Sequence, residues 1–241
     1  MKSNVFFLLA LVVALGCKND QITGTIVKKA SIPPSIDGIA NDTCWDDNEW
    51  LALDQVWLGD PPSSEDFRGR YKLSWNEDAL YLLVEITDDV LFDQNEDPLT
   101  LWWDDDCVEV FVDEDNSHGE HQYNHNAFAY HVAIDGNVVD LGQDKNPHLY
   151  NDHVISKRRT EGNISQWELS IKLFDDSFTD GGNNIPRELN AGETIGFALA
   201  YCDNDNSKQR ENFIGSEIVE GEDKNRGWID AGIFGDLYLQ E

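Results

Sequence analysis

The sequence predicts one all-β domain, built as a two-layer antiparallel β-sandwich of the jelly-roll or immunoglobulin-like kind. Short runs of alternating apolar and polar residues recur along the chain, separated by Asp, Gly, Asn and Pro clusters that favour turns. No stretch has the apolar spacing of a convincing amphipathic helix, and no internal repeat or linker interrupts residues 22–241. These three observations favour sheets packed face to face.

The alternation predicts where the strands lie. They cover 22–30, 51–57, 67–75, 80–87, 107–112, 126–134, 138–141, 154–160, 164–173, 194–202 and a last strand from 236, with a further run at 209–215. Asp37-Gly38 marks a turn, and the segment Asn76 to Asp78 joins its flanking strands as a hairpin. Trp45 is expected to close one end of a core.

The charge of the chain limits its partners. Its 241 residues carry a formal net charge of −30. Nucleic acid and anionic membrane surfaces are therefore poor electrostatic partners, whereas neutral ligands or cations are favoured. We expect a monomer.

The N-terminus has the features of an export signal. Residues 1–16 contain one Lys and then an apolar run that is short for a membrane span. The segment Ala14 to Cys17 resembles the lipobox of bacterial lipoproteins, although that pattern prefers Leu where Ala14 stands. We therefore expect a signal peptide at 1–16, a lipidated Cys17 with a short tether to residue 21, and the domain at 22–241. The mature protein would be anchored by lipid alone to the cell envelope, the outer membrane of a Gram-negative bacterium.

Three cysteines follow the expected lipid carrier: Cys44, Cys107 and Cys202. All three lie beside apolar or strand-like residues, so buried free thiols are the simplest interpretation. An exported protein with three cysteines has at most one internal bridge, and the sequence leaves the pairing open.

The stretch 102–114, WWDDDCVEVFVDE, joins an aromatic pair to a strand. The alternation places Val108, Val110 and Val112 on the core face, and Glu109 on the opposite face. Extending the same parity back to Trp103 adds an indole to that opposite face. An indole covers the C–H patch of a pyranose and a carboxylate accepts its hydroxyls, so the pattern suits sugar binding. A solvent-facing Glu and tryptophans in the core or at its rim are the alternative.

Two other groups of polar residues are candidate ligands. Asp88, Asp89 and Asp93 crowd into one acidic loop, where a structural Ca²⁺ would relieve their repulsion, although a solvated loop explains them equally well. His121 and His125 have a helical ligand spacing without a helical sequence around them, which disfavours zinc. His131 lies on a predicted strand, where a ring nitrogen can bond a ligand hydroxyl.

Five dispersed segments of the chain resemble carbohydrate-binding modules of family 9. They are Pro34 to Gly38 followed by Trp45, and the segments ALYLLVEITDD, WWDDDCVEVFVDE, CDNDNSKQR and GWIDAGIFGDLYL. Their order and spacing make the resemblance fairly specific, and it spans nearly the whole predicted domain.

The resemblance implies a β-sandwich that binds a sugar between two tryptophans, often at the reducing end of a chain, with structural calcium nearby. It places Trp103 and Trp228 as the sandwiching pair. It assigns Glu109 as the binding carboxylate and Asn225 as an amide that bonds sugar hydroxyls. His131 stands where the family's sugar-binding representative has an arginine, and a neutral imidazole cannot make a guanidinium's paired bonds.

The sequence thus favours a non-catalytic, carbohydrate-binding lipoprotein that supports polysaccharide capture or breakdown. One alternative is a lipid-anchored scaffold that has the same β-sandwich fold but binds another protein in place of a sugar. Another is a glycoside hydrolase, but among 47 acidic residues two carboxylates will lie at a glycosidase-like separation by chance, so their presence argues little.

Overall fold

The computed structural model describes residues 24–241. The expected signal peptide, Cys17 and the tether lie outside the described residues. Within 24–241, no helix is both long enough and apolar enough to cross a membrane.

The described part of the chain contains strands and two 3-10 helices, Thr43–Trp45 and Ala231–Ile233. The strands are β1 (Thr25–Lys28), β2 (Leu51–Leu53), β3 (Gln55–Leu58), β4 (Phe67–Trp75), β5 (Leu80–Asp88), β6 (Cys107–Asp113), β7 (Phe128–Ala133), β8 (Val138–Leu141), β9 (Pro147–Leu149), β10 (Val154–Glu161), β11 (Ile164–Ile171), β12 (Thr194–Asp203), β13 (Asn212–Gly215) and β14 (Gly235–Gln240).

The strands form two sheets, which confirms the predicted sandwich. One sheet has the order β1-β14-β12-β6-β7-β8-β9, and β13 pairs with β12 and with β3. The other has the order β10-β11-β5-β4-β2. The strand pairs are antiparallel with one exception, because β1 lies parallel to β14. This parallel pair was not predicted, because the alternation within β1 and within β14 does not show which strand each one pairs with.

The space between the sheets is filled by the predicted core face. Val108, Val110 and Val112 of β6 are buried there, together with alternate residues of β5 and β12. The opposite face of β6 is also buried, which disfavours the alternative of a solvent-facing Glu109. Cys107 and Phe111 belong to a second apolar cluster that also contains Trp57, so every residue of β6 is buried.

The outer face of the five-stranded sheet is covered by the chain before β2. Cys44 and Trp45 pack there against Tyr81 and Leu83 of β5. The Trp45 indole donates a hydrogen bond of 3.0 Å to the Glu168 carboxylate on β11. Trp45 is therefore buried as expected, but over the outside of a sheet rather than at the end of the central core.

Most predicted strand limits lie within two residues of the observed ones. The predicted strand 51–57 divides in two, because β2 pairs with β4 in one sheet and β3 pairs with β13 in the other. β9 was missed, since its three residues contain a proline and show no alternation.

Candidate functional site

A cleft of about 280 Å³ opens on the outer face of the nine-stranded sheet. Its lining comprises Trp102, Trp103, Glu109, His131, Arg210, Asn225 and Trp228. The structure thus brings together all five residues that the sequence indicated as ligand contacts, and it adds Trp102 and Arg210.

The floor of the cleft contains a cross-strand acid–base pair. Glu109 of β6 lies directly opposite His131 of β7, and both side chains are buried. The His131 Nε2 atom lies 3.2 Å from a carboxylate oxygen of Glu109. Burial opposes protonation of His131, but the negative charge of Glu109 outweighs it, so the pKa of His131 is raised. The pair presents an anionic acceptor to the cleft and holds it in place.

Arg210 adds a guanidinium to this floor. Its Nη1 atom lies 2.9 Å from the Cys202 sulfur and 3.9 Å from a Glu109 oxygen, and its central carbon lies 4.1 Å above the Phe213 ring. Burial disfavours its charge, but the anionic partners Cys202 and Glu109 outweigh this, so the pKa of Arg210 is raised. The cleft therefore offers strong hydrogen-bond donors beside its acceptor.

Small side chains leave room above the floor. β12 alternates between large residues that face the central core and small ones that face the cleft side. Ala200 lies opposite Glu109, with Ala198 two residues away on the same face. A larger residue at either position would occupy space beside the carboxylate.

Trp102 and Trp103 reach the cleft from a turn, not from an extended strand. Leu101 has a left-handed φ of 52°, and the Asp104 amide donates to the Leu101 carbonyl at 2.8 Å. The parity argument that placed Trp103 with Glu109 therefore reached the right location for the wrong physical reason. The two indoles meet edge to face, with ring centroids 4.7 Å apart.

The three aspartates after the tryptophans fix the loops around the cleft. Asp106 accepts backbone hydrogen bonds from Phe92 at 2.6 Å and from Asn204 at 2.9 Å. Asp104 accepts one from the Arg210 amide at 3.2 Å. This run therefore holds the segment that supplies Arg210, which is a role that the sequence analysis did not assign.

Asn225 and Trp228 lie on a loop that is tied to the sheet. The buried ring of His121 is 2.6 Å from the Gly227 carbonyl oxygen and hydrogen-bonds to it. A side chain at Gly227 would meet the Phe111 ring at 2.8 Å, so only glycine permits this approach. His121 thus positions the loop. The His125 Nε2 atom lies instead 3.2 Å from Asp180, so the two histidines do not point at a common ligand as a zinc pair would.

The predicted metal residues are divided among different places. Asp88 is buried with Asp106 and Asp203, their carboxylate oxygens lying within 4.8 Å of one another. Asp89 groups instead with Asp66 and Asp205, at similar distances. Asp93 is exposed and belongs to neither group. The three aspartates of the acidic loop therefore do not come together as one group. Asp88 and Asp89 each lie beside carboxylates from distant segments of the chain.

Sequence reasoning missed Arg210 because it follows a polar turn and lies far along the chain from its partners. The available signal was an arginine three residues before the apolar pair Phe213 and Ile214, in a very acidic chain. Trp102 was discounted because strict alternation assigns adjacent residues to opposite faces, which a turn does not obey.

Two curated proteins are similar in sequence to this chain. Endo-1,4-beta-xylanase A of Thermotoga maritima is 24% identical over 227 residues, covering 91% of this chain and 18% of the relative. Endo-1,4-beta-xylanase A of Thermotoga neapolitana is 31% identical over 97 residues, covering 40% of this chain and 8% of the relative. The chain therefore spans less than a fifth of the curated relatives that it matches.

Solved structures share the fold. A carbohydrate binding module family 9 from Caldicellulosiruptor kristjanssonii in complex with cellotriose has a TM-score of 0.66 and 21% identity, covering 90% of this chain and 93% of that one. The same module in complex with glucose gives a TM-score of 0.65 at 20% identity, covering 90% and 96%. A putative carbohydrate-binding protein from Bacteroides uniformis gives 0.57 at 13% identity, covering 90% and 100%. Residues 36–241 match the family described as carbohydrate family 9 binding domain-like, and the chain belongs to that family.

Proposed function

We propose that this protein is a non-catalytic carbohydrate-binding module whose ligand lies in the cleft. The observation that carries the proposal is that half-buried indoles, a buried carboxylate and a guanidinium line one small cavity. A sugar ring needs both kinds of surface, since its C–H groups stack on aromatic faces and its hydroxyls need paired donors and acceptors.

Each part of the cleft has a separate role in this proposal. Trp103 and Trp228 cover the two faces of the ring and supply most of the affinity. Glu109 accepts hydroxyl protons, while Asn225 and Arg210 donate to hydroxyl oxygens. His131 keeps the carboxylate in position and takes the place of the arginine of the family's sugar-binding representative.

The size of the cleft favours a small ligand or the end of a chain. Pockets for drug-sized ligands usually measure about 300 to 1,000 Å³, so a volume of about 280 Å³ is at the lower limit. The fold relatives in complex with glucose and with cellotriose support a neutral sugar of that kind. The reducing end of a glycan fits both the small volume of the cleft and the sugars bound by these relatives.

Titration calorimetry of the purified protein with glucose and cellotriose tests the proposal directly. We expect saturable binding with one site per chain. A screen on immobilised glycans then widens the search to other sugars and linkages. Absence of binding to any sugar on the array, in a protein shown to be folded, would contradict the proposal and favour a scaffold that binds another protein.

A hydrolase is the less favoured reading. Among the described residues that line the cleft, Glu109 is the one carboxylate. Both common glycosidase mechanisms need a second carboxyl group about 5 to 9.5 Å away, on the other side of the bond that is cleaved. The cleft therefore suits retention of a sugar better than its hydrolysis.

We also propose that Ca²⁺ binds to Asp88, Asp106 and Asp203. All three are buried, and the Asp203 Oδ1 atom has no hydrogen-bond partner among the described residues. Burial, followed by the charge of neighbouring carboxylates, raises the pKa of Asp106 to about 9 and that of Asp203 to about 7. Calcium prefers oxygen ligands of this type. When bound, it would neutralise charges on β5, β12 and the segment before β6.

We propose further that the protein is exported and held at the outer membrane by lipid on Cys17, where it would support polysaccharide capture. The support is the sequence Ala14 to Cys17 behind an apolar run. The Cys17→Ser protein is expected to lose fatty-acid labelling and to leave the membrane fraction of its native host. A variant that remains labelled and membrane-bound would contradict lipidation at this residue.

A further inference from the structure

The structure separates the three cysteines of the domain. Cys44 lies in the 3-10 helix Thr43–Trp45, in the cluster that covers the outer face of the five-stranded sheet. Cys107 and Cys202 lie in the apolar cluster beneath the cleft, on the other sheet. All three are buried and free in this structure.

Cys107 and Cys202 are placed to react with each other. Cys107 opens β6, and its direct partner in the antiparallel ladder is Cys202 of β12. Residues paired in this way have Cα atoms about 4.5 to 5.5 Å apart and side chains on the same face. A disulfide accepts Cα separations of about 4.4 to 6.8 Å. Both side chains are buried in the same apolar cluster.

The two sulfurs have different neighbours. The Cys202 sulfur accepts a hydrogen bond of 2.9 Å from Arg210, and the Cys107 sulfur donates one of 3.8 Å to the Trp102 carbonyl. Because the bond forms before the sandwich closes around these contacts, either sulfur can attack first.

We propose that Cys107 and Cys202 form a disulfide beneath the cleft, made by exchange with a low-molecular-weight disulfide while the chain folds. One of the two thiols loses its proton, attacks the small disulfide and expels one small thiolate. The other thiol then loses its proton, attacks the mixed disulfide at the protein sulfur and expels the second. The chain loses two hydrogens, and two small thiols carry away both protons and both electrons. Folding provides access, because both sulfurs are buried in the finished sandwich.

The bond changes the cleft, and this part rests on the proposed function. The Arg210 guanidinium donates a hydrogen bond of 2.9 Å to the Cys202 sulfur. A disulfide turns that sulfur towards Cys107 and leaves the guanidinium to Glu109 and to a ligand. Hydrogen bonds from a charged donor are among the stronger ones, so the oxidised protein is expected to bind sugar about three- to tenfold more tightly.

The test refolds the full chain in oxidised and reduced glutathione, and separately in dithiothreitol. Trapped peptides are then identified by mass spectrometry. We expect a linked pair of peptides containing Cys107 and Cys202, two hydrogens lighter than the reduced pair, in the glutathione sample. Cys44→Ser should keep the link and Cys202→Ala should lose it. Free, alkylated Cys107 and Cys202 after oxidising refolding, or a link to Cys44, would overturn the proposal.

Sugar titration separates this inference from the proposed function. Cys107→Ala blocks the bond while it keeps the contact between Cys202 and Arg210, so its affinity for cellotriose should match that of the reduced protein. Equal affinities of the oxidised and reduced proteins would overturn the coupling through Arg210. If the disulfide forms but neither the oxidised nor the reduced protein binds sugar, the disulfide stands and the carbohydrate function is contradicted.

Discussion

Replacing Trp103 or Trp228 with alanine is expected to weaken sugar binding by about tenfold or more. A stacking contact between an aromatic side chain and a flat ring contributes roughly 1 to 3 kcal/mol by analogy with nucleobase platforms, and about 1.4 kcal/mol corresponds to tenfold in affinity. Calorimetry with the best ligand of the array measures the change.

The expected cost in stability is smaller than the cost in binding. Trp103 is half-buried at the rim of the cleft, and Trp228 is half-buried against the apolar cluster of Trp57 and Phe111. Trp45→Ala is the contrasting variant, because removal of this buried indole should lower the free energy of unfolding by about 3 to 5 kcal/mol. Trp50 is half-buried on the other sheet, so Trp50→Ala is the matched control for loss of a partly exposed indole and should bind normally.

Two outcomes would contradict the assignment of the indoles. In one, both cleft variants bind as tightly as the parent. In the other, Trp103→Ala and Trp228→Ala unfold while Trp45→Ala stays folded, which would make the cleft tryptophans core residues. The unfolding of each variant in urea should therefore be measured before its affinity is interpreted.

Calcium is expected to raise the melting temperature by about 5 to 10 °C when its concentration is about 100 times the dissociation constant. Binding to the folded state alone contributes about 2.7 kcal/mol under these conditions, and a domain of this size gains about 2 to 4 °C for each kcal/mol. The measurement compares metal-free protein in chelator with protein in millimolar calcium.

Variants locate the ion. Asp106→Asn removes one carboxylate from the group with Asp88 and Asp203, so it should abolish the response to calcium. Because the raised pKa of Asp106 keeps this carboxyl protonated at neutral pH, the melting temperature of the metal-free protein should change little. Asp93→Asn is the matched control, since Asp93 is exposed outside both groups, and it should respond like the parent. An unchanged melting curve of the parent, or an unchanged calcium response of Asp106→Asn, would argue against this site.

The sequence by itself determined the sandwich and most of its strands. Alternation with a period of two is a local property, and a strand with one apolar face must bury that face whatever its neighbours are. Val108, Val110 and Val112 were therefore placed correctly, and so were the hairpin of β4 and β5 and that of β10 and β11. The ligand candidates needed the family resemblance as well, since Asn225 and Trp228 lie on a loop without periodicity.

Only the tertiary structure decided which distant residues meet. Arg210 reaches Glu109 because β12 lies beside β6 and because Asp104 holds the Arg210 backbone. The same register makes Cys202, not Cys44, the neighbour of Cys107. The buried carboxylates gather for the same reason, since Asp88 and Asp106 end or precede strands of different sheets. Strand order and register are set by packing over the whole sandwich, and no local run of sequence contains that information.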